Sequence, residues 1–220
     1  MPDKEDVFTG CNKNNKNVKD EEKDIEAEIV NIFGNNLSKQ ELFDRFLTYR
    51  RRLARLSAVQ AIYLFEAKGF LSGSAGGNLF EQSDDSNFVE TCQEVISFYK
   101  SYFFTPQEYG WTKKDKKIDE DFMFSLVANA LMNLNEIDTF IQNRLSGTWV
   151  VEKLDAVLRS IIRCAVAEIM IGDFIEKAVL CSEYTNVASN FFSQKEVGFI
   201  NGIVDRLYGD VIKKHPFLLK

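Results

Sequence analysis

The chain has 220 residues, of which 45% are hydrophobic and 27% charged, so wholesale disorder, collagen-like structure and a disulfide-stapled miniprotein are excluded. Three prolines and twelve glycines are too few turn residues for a sandwich or barrel of many short strands, which favours a mostly helical chain. The net charge of −6 and the pI near 5.0 argue, as averages, against a protein that coats nucleic acid or an acidic membrane.

The sequence contains few of the residues that usually bind zinc, and it shows no export signal. The cysteines have no CxxC pair, and His215 is the only histidine, so the sequence predicts no metal site and no cofactor. The cysteines are Cys11, Cys92, Cys164 and Cys181. Cys164 lies in an apolar run and is interpreted as a small buried hydrophobic residue. Neither a signal peptide nor a long uncharged apolar stretch is evident, which predicts a cytoplasmic protein with no membrane segment.

The first fifty residues differ in composition from the rest. Residues 1–24 alternate charged and amide side chains with few hydrophobic ones, so we expect a disordered tail. Residues 25–48 form a predicted helical appendage, with an amphipathic segment over Ile25–Phe33. Ser38 and Glu41 have the spacing of a capping box that opens a second helical segment through Leu47.

Two helices are predicted in the next part of the chain. The stretch Tyr49–Lys68 has neither glycine nor proline, carries apolar residues at helical spacing and is followed by Gly69. Residues 71–78, LSGSAGGN, are a predicted loop, and Asn87 opens a helix that ends before Pro106. The lysines at 113, 114, 116 and 117 are interpreted as part of a solvated loop.

The remaining apolar pattern is also helical. A long helix, straight or kinked, is expected over Asp119–Leu145, and a central buried helix follows from Leu154 to Ile169 with Gly172 behind it. Two further helices are predicted over Glu176–Phe192 and Glu196–Lys213. The inward residues expected on the last of these are Phe199, Ile203, Leu207 and Val211. Because no alternating strand pattern competes with these helices, the predicted fold class is all-α.

Catalytic motifs for phosphate binding, acyl transfer or metal-assisted hydrolysis are missing, so the sequence predicts that the protein is not an enzyme.

The arginines are more informative, since five of nine fall within eleven positions: Arg45, Arg50, Arg51, Arg52 and Arg55. On a helix, Arg51 and Arg55 share a face, and the planar guanidinium suits phosphate and unpaired bases. Two structural alternatives stay open, namely ion pairs with carboxylates and simple solvation. Tyr63, on the same helix, is either a stacking face or a core residue.

Three ordered segments together resemble a known family. RRRLARLSAVQAIYLFE (Arg50–Glu66) resembles the arginine-rich first helix of the transcription antitermination factor NusB family, and LDAVLRSIIRCAVAEI (Leu154–Ile169) resembles its central helix. EYTNVASNFFSQKEVGFINGIVDRL (Glu183–Leu207) is similar to its closing signature, with FINGIVD the most specific part. The resemblance implies two packed three-helix subdomains, here with an extra N-terminal appendage, and assigns residues 49–214 to an RNA-binding domain.

The resemblance also implies a function. It implies transcription antitermination or termination, binding of a boxA-type single-stranded RNA of ribosomal RNA leaders, and assembly with the small-subunit ribosomal protein NusE in the antitermination complex of RNA polymerase. By motif position, the implied RNA-binding residues are Arg50, Arg51, Arg52, Arg55, Tyr63, Arg144, Phe199 and Asn201. The implied partner-binding residues are Asp155 and Arg159. Four arginine–phosphate contacts would give a slope of log K against log salt of about −3.

Two other functions stay open at this point. One is a helical homodimeric interaction module in which the leading residues cover the arginine helix. The other is an RNA-binding domain related to RNA cytosine methyltransferases, which is disfavoured because only about seven residues follow Lys213.

Overall fold

The computed structural model describes residues 38–71, 85–102, 118–172 and 175–219. Several sequence expectations lie outside these ranges: the tail over 1–24, the segment Ile25–Phe33, the loop after residue 71, the lysines at 113–117 and Cys11. The described residues up to Tyr49 belong to one compact unit, and those from Arg50 onwards belong to a second.

The described residues form seven α-helices and no strand, which confirms the predicted all-α class. The helices are α1 Lys39–Ala67, α2 Asp85–Tyr102, α3 Glu120–Met132, α4 Leu134–Gln142, α5 Ala156–Ile171, α6 Lys177–Ala188 and α7 Gln194–Lys214. Short 3-10 helices follow at Val151–Lys153 and Pro216–Leu219. Among the described helices, none combines the length and the apolar composition needed to cross a membrane.

Helix α1 is longer than the sequence predicts. The predicted capping box is present, because the Glu41 N–H donates to Ser38 Oγ at 3.3 Å and the Ser38 N–H donates to Glu41 Oε2 at 2.9 Å. The sequence predicts a separate helix from Tyr49, but α1 continues without interruption to Ala67. Since neither glycine nor proline occurs between Ser38 and Ala67, nothing in the local sequence ends the first segment.

The predicted helix over Asp119–Leu145 is divided at Asn133 into α3 and α4. Asn133 has φ −110° and ψ 18°, which lies outside helical geometry, and its side-chain amide donates to the Asn129 carbonyl at 3.0 Å. Asparagine stabilises such a break because its side chain competes for backbone hydrogen bonds. The kinked alternative is therefore the correct one.

Helix α5 is the centre of the larger unit, as predicted. Every residue from Leu158 to Ile169 is buried, and α3, α4, α6 and α7 all pack against this helix. Gly172 ends α5 with φ 86°, a left-handed conformation that favours glycine. Cys164 is fully buried in α5, which confirms its interpretation as a core residue, and burial raises the pKa of its thiol.

The inward face of α7 is shifted from the predicted one. Ile200, Ile203, Val204, Leu207 and Val211 are buried, whereas Phe199 is 42% exposed, so the prediction that Phe199 points inward is wrong. The five buried positions span about 100° of the helix surface, and Phe199 lies about 90° from the middle of that span. A four-residue spacing to Ile203 therefore places Phe199 only at the edge of the apolar face.

Candidate nucleic-acid interface

The clustered arginines of α1 divide into exposed and buried members. The side chains of Arg51 and Arg52 are 50% and 51% exposed, and that of Arg55 is only 5% exposed. The guanidinium carbons of Arg51 and Arg55 lie 4.8 and 5.4 Å from the centre of the Phe122 ring, in cation–π contact. Phe122, on α3, thus contacts arginines on two successive turns of α1.

Arg55 belongs to a buried ion cluster with Glu168, Glu183 and Tyr184. Its Nε and Nη2 donate to Glu168 Oε2 and Oε1 at 2.9 and 2.6 Å, and its Nη1 donates to Glu183 Oε2 at 3.1 Å. The Tyr184 hydroxyl donates to Glu168 Oε2 at 2.8 Å. Burial disfavours the charged guanidinium, but the hydrogen bonds and charge of Glu168, with further help from Glu183, raise the pKa of Arg55 above its ordinary value.

This cluster corrects one assignment. Because Arg55 is 4% exposed and all three of its side-chain nitrogens donate to carboxylates, it does not offer a surface contact to RNA in this conformation. Of the structural alternatives considered for the arginines, ion pairing with carboxylates describes Arg55. Its physical role is to join α1 to α5 and α6.

Arg52 contacts the same cluster from the surface. Its Nε donates to both oxygens of Glu183, at 2.9 and 3.0 Å, and its Nη2 lies 2.8 Å from Glu183 Oε1. Glu183 is only 7% exposed at its side chain. Arg52 is therefore anchored along one edge by a buried carboxylate while half of its side chain remains exposed.

Arg50 and Arg51 approach the start of α3. Arg51 Nε lies 3.7 Å from Asp119 Oδ2, and Asp119 caps α3 by accepting from the Phe122 N–H at 3.2 Å. Arg50 is partly exposed, and its Nη2 lies 3.5 Å from the Ile118 carbonyl oxygen. Residues Arg50 to Arg52 thus place three guanidinium groups at or near the surface on one turn of α1.

Tyr63 lies about 16 Å further along α1 than Arg52, from the helical rise per residue. Its side chain is 40% exposed, so the core alternative is wrong for this residue. It borders an apolar groove of about 530 Å³. The groove is lined by Val59, Gln60, Tyr63, Leu64, Glu94, Val95, Val157 and Phe191.

The other implied RNA-binding residues lie on α7 or pair with it. Phe199 and Asn201 are exposed near the beginning of α7. Arg144 follows α4 and binds both carboxylate oxygens of Asp210 through Nε and Nη2. The hydrogen bond and charge of Arg144 hold the pKa of Asp210 below its ordinary value. An anion that binds Arg144 must therefore share it with Asp210 or displace that carboxylate.

The two implied partner-binding residues differ in accessibility. Asp155 is exposed and caps α5 by accepting from the Val157 and Leu158 N–H groups at 2.9 and 3.1 Å. Arg159 is 7% exposed, and its Nη1 donates to the carbonyls of Val151 and Leu154 at 2.8 and 2.9 Å. Arg159 therefore shapes the backbone just before Asp155 and does not offer a direct contact to a partner in this conformation.

A second ion cluster joins the end of α1 to α4 and α5. Arg159 pairs with Glu66, while Arg163 donates to Glu66 Oε2 at 2.8 Å and to both oxygens of Asp138 at 2.8 and 2.7 Å. Partial burial works to raise the pKa of Glu66, but the hydrogen bond and charge of Arg159, and then those of Arg163, hold it below 4.5. Glu66 thus links α1 to α5 through ion pairs.

Acid should weaken the ion pairs of Glu66 with Arg159 and Arg163. Since the folded-state pKa of Glu66 lies below 4.5, the unfolded chain binds more protons in that range, and stability falls as the pH drops through the folded-state pKa. We expect Glu66→Gln to reduce the pH dependence of the urea-unfolding midpoint between about pH 6 and 3. Glu152→Gln, at an exposed glutamate of the 3-10 helix, is the control, and an equal pH dependence in both variants would contradict this role.

Sequence reasoning missed the carboxylates that organise the arginine face. A signal was present for Glu168, because an acidic residue inside the apolar run of α5 needs a buried cationic partner. Glu183 carried a weaker signal, since the α6 sequence mixes polar and apolar residues and does not predict that this position is buried. Neither pairing has a sequence signature, as the partners are 113 and 128 residues from Arg55.

Comparison with known proteins identifies a family that matches most of this chain. Residues 52–209, from Arg52 on α1 to Gly209 on α7, match the NusB family. The transcription antitermination protein NusB of Sphingopyxis alaskensis is 35% identical over 167 residues, which cover 74% of this chain and 95% of that protein. The NusB protein of Caulobacter vibrioides is 31% identical over 160 residues, which cover 73% and 93%.

Solved structures agree on the fold. A structure of the antitermination factors NusB and NusE in complex with dsRNA has a TM-score of 0.51 at 22% identity, covering 74% of this chain and 98% of the matched one. T. maritima NusB has a TM-score of 0.50 at 21% identity, covering 72% and 90%. These matches confirm the resemblance and the helical fold that it implied. The chain belongs to the NusB family of transcription antitermination proteins.

Proposed function

We propose that this chain acts without catalysis in transcription antitermination, by binding boxA-type single-stranded RNA of ribosomal RNA leaders together with NusE. Membership in the NusB family supports the antitermination role. The solved relative that contains NusB, NusE and dsRNA supports NusE and RNA as partners. The proposed setting is the antitermination complex of RNA polymerase in the cytoplasm, and the proposed RNA-binding domain is residues 49–214.

The observation that carries this proposal is the arginine turn of α1. Arg50, Arg51 and Arg52 place three guanidinium groups on one helical turn in a protein whose net charge is −6. Guanidinium groups bind phosphate oxygens through paired N–H donors. The acidic remainder of the chain repels nucleic acid elsewhere, which favours RNA at this turn.

Exposed aromatic and polar residues favour a single strand as the ligand. Tyr63 and Phe199 are 40% and 42% exposed. Unpaired bases can stack on such rings, whereas the bases of a duplex already stack on one another. We assign Asn201 to base or sugar contacts and Arg144 to a phosphate that competes with Asp210. Arg55 supports this face from inside through its cluster with Glu168 and Glu183.

The proposed NusE contact includes Asp155. Its exposed carboxylate caps α5 and is held beside a backbone that Arg159 fixes through Val151 and Leu154. We therefore assign a direct contact to Asp155 and an indirect role to Arg159.

Fluorescence anisotropy with a labelled boxA single strand tests the proposal. Phosphate contacts by Arg50, Arg51 and Arg52 contribute about −2 to the slope of log K against log salt, and the phosphate contact of Arg144 brings the slope to about −3 without Arg55. Addition of NusE should tighten binding, and an unlabelled duplex of the same sequence should compete poorly. Salt-independent binding would contradict the proposal. So would a homodimer, measured by light scattering, that persists with saturating RNA and NusE.

A further inference from the structure

Glu183 binds Arg52 along one edge of the guanidinium. The Nε group and Nη2 face Glu183, at 2.8 to 3.0 Å from its carboxylate oxygens. Within the described part of the chain, Arg52 Nη1 has no hydrogen-bond acceptor. A guanidinium has five N–H donors in a rigid plane, so the terminal edge formed by Nη1 and Nη2 still has donors for a second anion.

Glu183 is itself held in place. Its side chain is 7% exposed, and its Oε2 accepts from Arg55 Nη1 at 3.1 Å, inside the buried ion cluster. The two carboxylates, Glu168 and Glu183, balance the two guanidinium groups of Arg52 and Arg55. Because Arg52 completes this balance, its attachment to Glu183 avoids an uncompensated buried negative charge. The carboxylate that contacts Arg52 is therefore already neutralised.

We infer that Glu183 is a positioning residue for RNA: it fixes Arg52 by the Nε edge so that the terminal edge of the guanidinium is presented to a backbone phosphate. The inference rests on the proposed RNA binding. A long arginine side chain loses rotamer freedom when it binds an anion, and Glu183 removes much of that loss before RNA arrives. In this arrangement an acidic residue strengthens the binding of a polyanion.

A double-mutant cycle on the full chain tests this inference, with the labelled boxA strand as the probe. Glu183→Gln keeps the shape of the side chain and leaves Arg55 paired with Glu168. We expect it to weaken RNA binding about fivefold in the wild-type background, as expected for one side chain that is no longer held in place. In the Arg52→Ala background the same substitution should change affinity less than about twofold.

The outcomes separate three explanations. A loss of affinity that is equal in both backgrounds would mean that Glu183 acts through the general structure. Tighter RNA binding by Glu183→Gln would mean that the charge of Glu183 repels RNA. Either result overturns the inference. Absence of RNA binding by the wild-type chain would instead overturn the proposed function. Circular dichroism checks that each variant is folded, and Arg52→Gln, which keeps an amide donor for Glu183, replaces Arg52→Ala if that variant unfolds.

Discussion

Replacement of Arg55 by methionine is expected to lower the free energy of unfolding by about 3–5 kcal/mol. Among the described residues, the substitution leaves only Arg52 to balance the buried carboxylates of Glu168 and Glu183. Removing one member of a buried ion pair leaves an uncompensated charge, and that cost exceeds the loss of packing. Urea unfolding followed by circular dichroism measures the effect, provided the slope of the transition is unchanged.

Two control variants define the cause. Arg55→Met combined with Glu168→Leu removes both charges, and Tyr184 then keeps the Cys164 carbonyl as an acceptor at 3.0 Å, so most of the stability should return. Arg206→Met changes an exposed arginine whose Nε donates to the Gly202 carbonyl of its own helix, and should cost less than about 0.5 kcal/mol. If Arg55→Met were as mild as Arg206→Met, the buried ion cluster would not be a source of stability.

Removal of the exposed arginine pair should weaken RNA binding strongly. We expect Arg51→Ala with Arg52→Ala to reduce affinity about 25-fold at 0.1 M salt and to change the salt slope by about 1.4, since each lost phosphate contact contributes about 0.7. The difference from the wild-type chain should shrink toward 1 M salt, because the lost term is counterion release. Anisotropy titrations of the labelled boxA strand at several salt concentrations measure both quantities.

A matched variant removes the same charge from other places. Lys68→Ala with Lys177→Ala also lowers the net charge by two. Lys68 follows the last residue of α1, about 24 Å from Arg52 along the helix axis, and pairs with Glu94, while Lys177 pairs with Asp205. This control should keep a slope within a few tenths of the wild-type value. Equal losses of affinity in the two double variants would show that net charge, and not the arginine turn, governs binding.

Much of the helical framework follows from the sequence because its causes are local. The capping box at Ser38, the glycine after α5 and the apolar spacing of α5 each act within a few residues, and each is found where the sequence predicts it. The division of α3 from α4 at Asn133 was only one of two alternatives, since asparagine in a helical stretch is compatible with both.

Side-chain placement was less accessible from the sequence. The apolar spacing predicts Phe199 on the inward face, yet it is exposed, because the burial of residues at the edge of an apolar face depends on the neighbouring helices and not on the spacing alone. Tyr63 had two open interpretations for the same reason. The family resemblance assigns Arg159 to a partner surface, yet it is buried against Glu66 and two backbone carbonyls.

By itself, the sequence determined the all-α class, the order of the helices and the concentration of arginines on α1, since these depend on composition and on contacts within a few turns. Only the tertiary structure decided which arginines remain at the surface. Arg52 and Arg55 are three residues apart on one helix, yet one is half-exposed and the other buried, because Glu168 and Glu183 come from helices more than 110 residues away. Ion pairs between distant helices form when the chain folds, and local sequence does not encode them.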